Sequence, residues 1–490
     1  MFTRDELIAA AGVQPLGGAL PPRFEGGAVD SRAVRPGELF VALKGEQTDG
    51  YYYIPQAVEA RAAAILCARP HDEATAHGVP QLVVPDPLAA LQRLARERLR
   101  CQPEARVIAI TGSNGKTSVK EATATLLQHL APTLKTEGNL NTETGLPLTL
   151  LRLLPEHRFA VLEMGAQWVG EITALCRIAP PDIAVCTVVG PEHLEFFGSL
   201  EGVADGESEA VAALSPQGVA VLNGDDPVVR NMARRTQACV VTYGRRPGAQ
   251  VRALRVWGDP LTGLRFTLAH GGQQVRVMLH TPGAHAVTTV LAASAVALAC
   301  GMDLERIAAA LGEIRPVKRR GEVKPAVNGA TLVDDSYNAN RQSAIAAVEL
   351  LRGAKVVPGG RRVFVFGDML ELGDYATAEH AAVGTAAASA NLDALVLVGS
   401  DVAATAEAAL QAGLPADRVH LFAAPLADHS ALAAARQSAA ALVREALRPG
   451  DVVLVKGSLG VGMDVVVKEL AATSPSAAPP PPRHRSRRPH

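Results

Sequence analysis

The sequence has few aromatic residues, no clustered cysteines, no long apolar run and almost no net charge. Its six cysteines (67, 101, 176, 186, 239 and 300) are scattered without a Cys-x-x-Cys pair, which argues against a disulfide framework and a cysteine zinc site. No apolar run approaches the roughly 20 residues of a membrane span, and the charged N-terminus lacks the apolar core of a signal peptide. The formal net charge of −1 gives no reason to expect nucleic acid as a partner. We expect a cytoplasmic protein, without membrane insertion, and a monomer.

The length and composition indicate a globular protein of several domains. The chain has 490 residues, of which 48% are hydrophobic and 20% charged. A chain of this length divides into about three domains of ordinary size. We place domains at 1–98, 99–315 and 316–472, followed by a Pro- and Arg-rich tail at 473–490 that cannot bury a core and is predicted to be disordered.

The first predicted domain is a small α/β unit. Apolar runs at 38–43, 62–67 and 81–84 predict strands, and leucines at 88, 91, 94 and 99 predict an amphipathic helix. Polar turns, Asp30-Ser31-Arg32 and Lys44-Gly45-Glu46, lie beside strand ends. Such turns are usually only solvated, so alone they are weak evidence for a ligand site.

The stretch from 107 to 118 predicts a site for a polyphosphate. An apolar strand, Val107 to Ile110, runs into a glycine turn and then Gly115-Lys116-Thr117, and a helix is predicted from Val119 to Leu130. Glycines let backbone N–H groups approach phosphate oxygens, the helix N-terminus adds partial positive charge, and the lysine adds a full one. The threonine hydroxyl is placed to reach the Mg²⁺ that accompanies a nucleoside triphosphate. The predicted nucleotide-contacting residues are Thr111, Gly112, Ser113, Asn114, Gly115, Lys116, Thr117 and Ser118.

Further strands at 159–162, 183–188 and 219–222, with helical stretches between them, predict a parallel sheet for the central domain. Ligands bind beyond the carboxyl ends of such strands, which selects Glu163, His193 and Asn223. A carboxylate at 163 could reach Mg²⁺, although a capping role is an equal alternative. The histidine alone is more typical of a structural, hydrogen-bonded residue.

The third domain repeats the alternation of strands and helices. Its predicted strands are 331–333, 363–366, 394–398 and 452–455, and each is followed by polar residues, as in a second doubly wound sheet. The basic tail could bind a polyanion, but a solvated tail is the simpler interpretation.

Taken together, these motifs resemble the Mur ligase family over nearly the whole chain except the tail. The resemblance rests on strings in all three domains: Asp30-Ser31-Arg32, 39–45, 111–117, Gly138-Asn139-Leu140-Asn141, Leu162-Glu163-Met164-Gly165, His193-Leu194-Glu195, 334–340, 367–373 and 455–458. Within the family these strings are typical of the branch that adds D-alanyl-D-alanine. The Asp-Asn-Pro-Arg string of the branch that adds diaminopimelate or lysine is absent.

The resemblance implies three α/β domains: an N-terminal domain that binds the UDP precursor, a central P-loop ATPase domain and a C-terminal Rossmann-like domain. It implies an ATP- and Mg²⁺-dependent amide ligase that joins D-Ala-D-Ala to UDP-MurNAc-tripeptide through an acyl phosphate. Such chemistry needs charge neutralisation and alignment more than a covalent nucleophile.

The resemblance also implies roles for individual residues. The catalytic set is Lys116, Glu163, His193 and Glu207, and the metal ligands are Thr117, Glu163, His193 and Glu207. Further nucleotide contacts are Asn223, His285, Arg320 and Asp335. Substrate contacts are Ser31, Arg32, Lys44, Gly45, Asn139, Asn141, Tyr337, Asn338, Asn340 and Lys456.

The sequence departs from the family pattern in four places. Glu207 stands where the family commonly has a carbamylated lysine near the second Mg²⁺, and it could supply a carboxylate directly; the simpler alternative is an exposed helix residue. His285 is followed by Ala286 and Thr289 where amides are usual. Leu459 replaces an arginine and Arg341 replaces a proline.

Two other functions stay open from the sequence. A non-catalytic paralogue could bind ATP or the UDP precursor without turnover, which the missing amides and lysine would favour. A related amide ligase, such as a folylpolyglutamate synthase, is the third hypothesis, but that enzyme begins close to its P-loop and lacks the N-terminal domain found here.

Overall fold

The computed structural model describes residues 1–45 and 48–472, so the predicted tail lies outside the described residues. The chain forms two compact units. The first comprises Met1–Val317 together with the segments Asn340–Ala346 and Glu371–Glu379. The second comprises Lys318–Ala339, Ala347–Leu370 and the described residues from His380 to 472.

The strands, in chain order, are β1 (Phe2–Thr3), β2 (Arg23–Phe24), β3 (Gly27–Ala28), β4 (Leu39–Val41), β5 (Ala64–Cys67), β6 (Gln81–Val83), β7 (Arg106–Thr111), β8 (Thr133–Lys135), β9 (Phe159–Glu163), β10 (Ile183–Cys186), β11 (Val219–Asn223), β12 (Cys239–Gly244), β13 (Val251–Asp259), β14 (Gly263–His270), β15 (Gln273–Leu279), β16 (Glu322–Pro325), β17 (Thr331–Asp335), β18 (Arg362–Gly367), β19 (Ala394–Val398), β20 (Val419–Phe422) and β21 (Val452–Lys456).

The α-helices are α1 (Arg4–Ala11), α2 (Ile54–Glu59), α3 (Asp72–Ala76), α4 (Pro87–Arg100), α5 (Lys116–Gln128), α6 (Gly145–Leu150), α7 (Glu171–Ile178), α8 (Leu194–Phe197), α9 (Leu200–Ala212), α10 (Pro227–Asn231), α11 (His285–Ala299), α12 (Leu304–Leu311), α13 (Arg341–Gly353), α14 (Ala376–Ser389), α15 (Val402–Gln411), α16 (His429–Ala446) and α17 (Asp464–Leu470). No helix in these described ranges is both long and apolar enough to cross a bilayer.

The N-terminal part of the first unit contains a four-stranded parallel sheet in the order β3-β4-β5-β6. The three predicted strands are confirmed, with slightly narrower ends, and the predicted helix is α4. Asp86 caps this helix by accepting a hydrogen bond from Ala89 N (2.9 Å), and Pro87 occupies its first turn. The apolar face of α4 packs on the sheet through Leu91 and Leu94.

The central sheet has nine strands in the order β15-β14-β13-β12-β11-β10-β7-β9-β8. Strand β7 lies between β10 and β9, parallel to both, and all four of its interior apolar residues are buried. Because side chains alternate along a strand, Ile108 and Ile110 join the core formed with α5 and α11, whereas Val107 and Ala109 join the core on the other face. The phosphate-loop strand is thus buried on both faces.

Two predictions for the central domain, which contains this nine-stranded sheet, were wrong in detail. The helix after the phosphate loop begins at Lys116 and not at Val119, because Gly115 adopts a left-handed conformation (φ 84°) that turns the chain directly into the helix. The predicted parallel alternation fails from β13 to β15, which pair antiparallel. The short turns between these strands leave no room for a helical crossover.

The second unit contains a six-stranded sheet in the order β16-β17-β21-β18-β19-β20. All its strand pairs are parallel except β16 with β17. The four strands predicted here are confirmed as β17, β18, β19 and β21. Their carboxyl ends carry Asp335, Gly367, Val398 and Lys456.

Candidate active site

The loop between β7 and α5 is fixed tightly to the segment after β10. Thr187 Oγ1 donates to Asn114 O (2.6 Å), Ser113 N donates to Val188 O (2.8 Å), and Ser113 Oγ donates to Gly190 O (3.1 Å). A Cβ at Gly112 would lie only 2.1 Å from Thr187 Oγ1, so this position requires glycine. The loop is therefore held rigidly at the N-terminus of α5, where backbone N–H groups favour an anion.

Lys116, the first residue of α5, lies among three carboxylates. Its Nζ donates to Gly112 O (2.7 Å) and lies 3.4 Å from Glu192 Oε2. Burial alone would lower the pKa of Lys116, but the negative charges of Glu192, Glu207 and Glu163 outweigh burial and raise the pKa above its usual value. The lysine therefore stays protonated at neutral pH.

Glu207, on α9, lies against the phosphate loop and not on the surface. Its side chain is buried, with the residue 3% exposed, so the alternative of an exposed helix residue is wrong. Oε2 of Glu207 accepts hydrogen bonds from Gly112 N (2.6 Å) and from the hydroxyl of Thr111. Burial raises the pKa of Glu207, while Lys116 and these two donors oppose the increase. The carboxylate at 207 is thus built into the loop that would hold the nucleotide.

Glu163, at the end of β9, has one oxygen without a hydrogen-bond partner. The residue is 4% exposed; Oε1 accepts from Asn141 Nδ2 (3.0 Å), and its backbone N–H donates to Thr136 Oγ1 (3.0 Å). Oε2 is buried and accepts no hydrogen bond from the described residues. Lys120 Nζ lies 3.5 Å from this oxygen. An orphaned buried carboxylate oxygen is costly unless a ligand completes it.

The predicted metal ligands fit Mg²⁺ only as part of a shared site. Within residues 1–45 and 48–472, no three His, Cys, Asp or Glu side chains come together as a preformed metal centre. Mg²⁺ usually takes one or two carboxylates and completes its shell with water and substrate phosphates. Glu163 Oε2, which accepts no hydrogen bond from the described residues, and the hydroxyl of Thr117, in the first turn of α5, are oxygen ligands suited to such a shared Mg²⁺ site.

The remaining predicted residues of the central domain differ in their positions. His193 has a left-handed backbone (φ 52°) just before α8, and its Nε2 lies 3.9 Å from Glu192 Oε1. Asn223 Nδ2 donates to Thr187 O (2.8 Å), and its Oδ1 accepts from Asp225 N (3.0 Å). Its side-chain amide therefore links the backbone after β10 to the backbone after β11. Asn139 is exposed, and His285 begins α11.

The predicted contacts in the N-terminal part lie in two turns. Asp30 caps a short turn, where Arg32 is exposed and pairs with Asp30 (2.7 Å). Ser31 Oγ donates to Gln56 Oε1 (2.8 Å). The backbones of Lys44 and Asp49 pair in an isolated antiparallel β-bridge, and Gly45 N donates to Thr48 O (2.8 Å).

In the second unit, several predicted residues contact one another. Lys456 is 2% exposed, and its Nζ donates to Asp335 Oδ2 (2.7 Å) and to Asn338 O (2.9 Å). The guanidinium of Arg320 stacks on the ring of Tyr337 at 4.1 Å. The structure therefore gathers these residues at one edge of the sheet.

Asn340 belongs to the first unit, at the start of α13. Its Oδ1 accepts hydrogen bonds from Ser343 N (3.0 Å) and from Asn114 Nδ2 of the phosphate loop (2.9 Å). A predicted dipeptide contact and a predicted nucleotide contact are thus hydrogen-bonded to each other.

Sequence reasoning missed two charged residues of the site. Lys120 is 1% exposed, one helical turn after Lys116, and lies beside Glu163. Glu192, directly before His193, lies beside Lys116. A lysine on the apolar face of a helix was the available signal for Lys120, because an ammonium group is rarely buried without a carboxylate partner.

Comparison with known proteins gives matches across the chain. Three family models match: "Mur ligase family, catalytic domain" over residues 24–99, "Mur ligase middle domain" over 110–297 and "Mur ligase, glutamate ligase domain" over 319–459. The UDP-N-acetylmuramoyl-tripeptide–D-alanyl-D-alanine ligase of Mycobacterium tuberculosis is 39% identical, covering 90% of this chain and 91% of that protein.

Solved structures agree with the sequence matches. A crystal structure of MurF from Acinetobacter baumannii is 31% identical, with a TM-score of 0.83, and covers 96% of this chain and 98% of the other. MurF ligase from Thermotoga maritima in complex with ADP is 27% identical, with a TM-score of 0.76, and covers 91% of this chain and 96% of the other.

Proposed function

This chain belongs to the Mur ligase family, and we propose that it joins D-alanyl-D-alanine to UDP-N-acetylmuramoyl-tripeptide, driven by conversion of ATP to ADP and phosphate. The observation that carries this proposal is the phosphate loop. There Lys116 stays charged amid Glu163, Glu192 and Glu207, in a chain 39% identical to a ligase of that name. The product is the UDP-MurNAc-pentapeptide, and the reaction takes place in the cytoplasm.

The reaction proceeds in two displacements. The terminal carboxylate of the tripeptide attacks the γ-phosphorus of ATP. The bond from that phosphorus to the bridging oxygen of ADP breaks, which releases ADP and leaves an acyl phosphate. The amine of D-alanyl-D-alanine then attacks the acyl carbon, and phosphate leaves as the amide bond forms. Lys116, at the N-terminus of α5, neutralises charge on the β- and γ-phosphates in the first step.

Four side chains of the central domain would hold the magnesium ions. Thr117 and Glu163 would bind one ion, since Glu163 presents a buried oxygen that accepts no hydrogen bond from the described residues. His193 and Glu207 would bind the second. When bound, the ions neutralise phosphate charge and align the reacting groups. Glu207 already carries the carboxylate that a carbamylated lysine would otherwise supply. To bind the ion, its Oε2 would have to share the hydrogen bonds from Gly112 N and Thr111 Oγ1 with the metal or give them up.

The remaining residues would orient the substrates. Ser31, Arg32, Lys44 and Gly45 would hold the UDP end, and Asn139 and Asn141 would lie near the acceptor carboxylate. Arg320, Asp335, Asn223 and His285 would contact the nucleotide. Tyr337, Asn338, Asn340 and Lys456 would line the side of the dipeptide.

A phosphate-release assay tests the proposal. The full chain is incubated with Mg-ATP, UDP-MurNAc-tripeptide and D-alanyl-D-alanine, and each component is omitted in turn. Phosphate release that requires all components, with pentapeptide formed in equal amount, supports the ligase. Tight binding of ATP or the UDP precursor without turnover would instead identify a non-catalytic paralogue. Turnover when folate and glutamate replace the UDP precursor and the dipeptide, with Mg-ATP still present, would identify a folylpolyglutamate synthase.

A further inference from the structure

The near-zero net charge of the chain conceals a strongly basic segment. Residues 227–280 contain nine arginines, one aspartate and neither lysine nor glutamate, a formal charge of +8, so the other residues sum to −9. Most of this segment forms strands β12 to β15 at one end of the central sheet. None of its arginines has been assigned a role in the ligase reaction.

The antiparallel strands β13, β14 and β15 divide their side chains between two faces. The inner face, with Ala253, Phe266, Leu268 and Val277, joins the core formed with α11 and α12. The opposite face, which we call the arginine face, carries three cross-strand rows: Arg252, Ala269 and Gln274; Leu254, Thr267 and Arg276; Trp257, Arg265 and Met278.

A bulge in β13 places both Arg255 and Trp257 on this face. The register of β13 shifts between Leu254 and Trp257, and Arg255 takes a left-handed conformation (φ 51°). Strict alternation would turn Arg255 and Trp257 toward the core and Val256 outward. With the bulge, Arg255 and Trp257 are exposed, and Val256 packs against the core.

The arginines of the arginine face form no ion pairs within the part of the chain that the structure describes. Among the described residues, no carboxylate pairs with the guanidinium groups of Arg252, Arg255, Arg265 or Arg276, whereas other exposed arginines, such as Arg235 with Asp205, do pair. Trp257 is 46% exposed, in one row with Met278, and Leu254 lies in the neighbouring row. The face therefore presents partly exposed apolar side chains interspersed with arginines that have no ion-pair partner among the described residues.

We propose that the arginine face docks the protein peripherally on a membrane surface rich in anionic lipid headgroups. Guanidinium groups bind phosphate in bidentate geometry, and tryptophan prefers the interface between headgroups and acyl chains. Single-stranded nucleic acid fits less well, because it needs several aromatic platforms for successive bases, and this face has one. Docking of this kind is additional to ligation and inserts no helix into the bilayer.

Vesicle sedimentation tests the proposal with the full chain. Vesicles of phosphatidylcholine mixed with phosphatidylglycerol should bind the protein at about 0.1 M salt, vesicles of phosphatidylcholine alone should not, and about 1 M salt should release it. Tryptophan emission should shift to the blue on binding, and Trp257→Phe should abolish that shift. Equal binding to both vesicle types, or to neither, would overturn the proposal.

A charge-matched pair of variants locates the binding surface. Each arginine at an anionic surface contributes about a fivefold factor in partitioning, so Arg255→Gln, Arg265→Gln and Arg276→Gln together should weaken vesicle binding at least tenfold. These side chains are exposed, so melting temperature and ligase turnover on soluble substrates should not change. The control, Arg483→Gln with Arg485→Gln and Arg487→Gln, makes the same change in net charge in the tail and should retain binding. Loss of binding only in the control, or binding of single-stranded RNA in place of anionic vesicles, would overturn the proposal.

Discussion

The carboxyl edges of the two large sheets both carry buried charged groups, but they satisfy those groups differently. At the central sheet, a buried oxygen of Glu163 accepts no hydrogen bond from the described residues, and Lys116 is surrounded by more carboxylates than it can bond. At the sheet of the second unit, Lys456 is bonded to Asp335 and to a backbone carbonyl, and Asp368 accepts from Ser400 N (2.9 Å) and Val402 N (2.8 Å).

The difference separates two uses of the same topology. The rule that ligands bind beyond the carboxyl ends of parallel strands selects both edges equally. The number of hydrogen bonds made by the buried charged groups distinguishes the two edges. A buried oxygen without a hydrogen bond is stabilised most by a bound ligand, whereas a fully hydrogen-bonded ion pair mainly stabilises the loops that carry it. Substitutions at the first edge are therefore expected to affect chemistry, and substitutions at the second edge are expected to affect stability.

The largest expected effect is that of Lys116→Ala at the central edge. Removing the charge that meets the phosphates should lower ligation at least about a thousandfold. The fold should survive, because the alanine leaves the loop's other hydrogen bonds in place. Phosphate release and a melting curve measure the two effects, and Lys468→Ala, which removes an exposed lysine on α17, is the control. A folded Lys116→Ala protein with near-normal turnover would refute the ATPase assignment.

At the second edge, Lys456→Met should act mainly on stability. Asp335 would lose its partner in a largely buried site, which typically costs about 3 kcal/mol of unfolding free energy. Urea unfolding followed by circular dichroism measures the loss. Adding Asp335→Asn should restore part of the stability, since the uncompensated charge is then gone. Unchanged stability together with a large rise in KM for the dipeptide would show that this edge is also primarily a ligand site.

Glu207→Gln should have a smaller effect, confined to the chemistry. The substitution keeps the shape of the side chain but removes the negative charge beside Lys116. We expect the Mg²⁺ concentration for half-maximal activity to rise about tenfold, with slower acyl phosphate formation. The control is Glu209→Gln on the same helix, whose carboxylate accepts from Gly170 N (2.5 Å) and Thr173 N (2.7 Å). Identical Mg²⁺ dependence in Glu207→Gln and the parent protein would leave Glu207 a structural residue.

The strand pattern and the phosphate loop could be predicted because each depends on local sequence. An apolar run rich in β-branched residues from 107 to 110 determines a strand, and the glycine turn followed by Gly115-Lys116-Thr117 determines the loop that starts the helix. The rule for strand ends selected Glu163, and the family resemblance selected Glu207; the structure places both near Lys116.

What could not be predicted depends on which residues meet across the fold. The burial of Glu207 against Gly112 and the pairing of Lys120 with Glu163 join segments distant in sequence. The arginine face was hidden because net charge averages over the whole chain, and because the bulge at Arg255 reverses the alternation expected for that strand.

The smallest expected effect is that of bicarbonate on turnover, because we expect turnover not to change when bicarbonate is added or removed. A ligase that depends on a carbamylated lysine loses its carboxylate when carbon dioxide is removed, because the carbamate forms reversibly from lysine and carbon dioxide. Glu207 carries its carboxylate covalently, already buried beside the phosphate loop. Turnover of the parent protein should therefore be equal in carbonate-depleted and bicarbonate-supplemented buffer.

The variant Glu207→Lys makes this null result informative. It should be nearly inactive in depleted buffer, since a second ammonium beside Lys116 repels Mg²⁺, and it should regain activity when bicarbonate is added. Bicarbonate dependence of the parent protein itself would mean that another lysine supplies the carbamate. Lys120, which is buried beside Glu163, is then the residue to substitute first, with Lys120→Arg keeping the charge but preventing the carbamate.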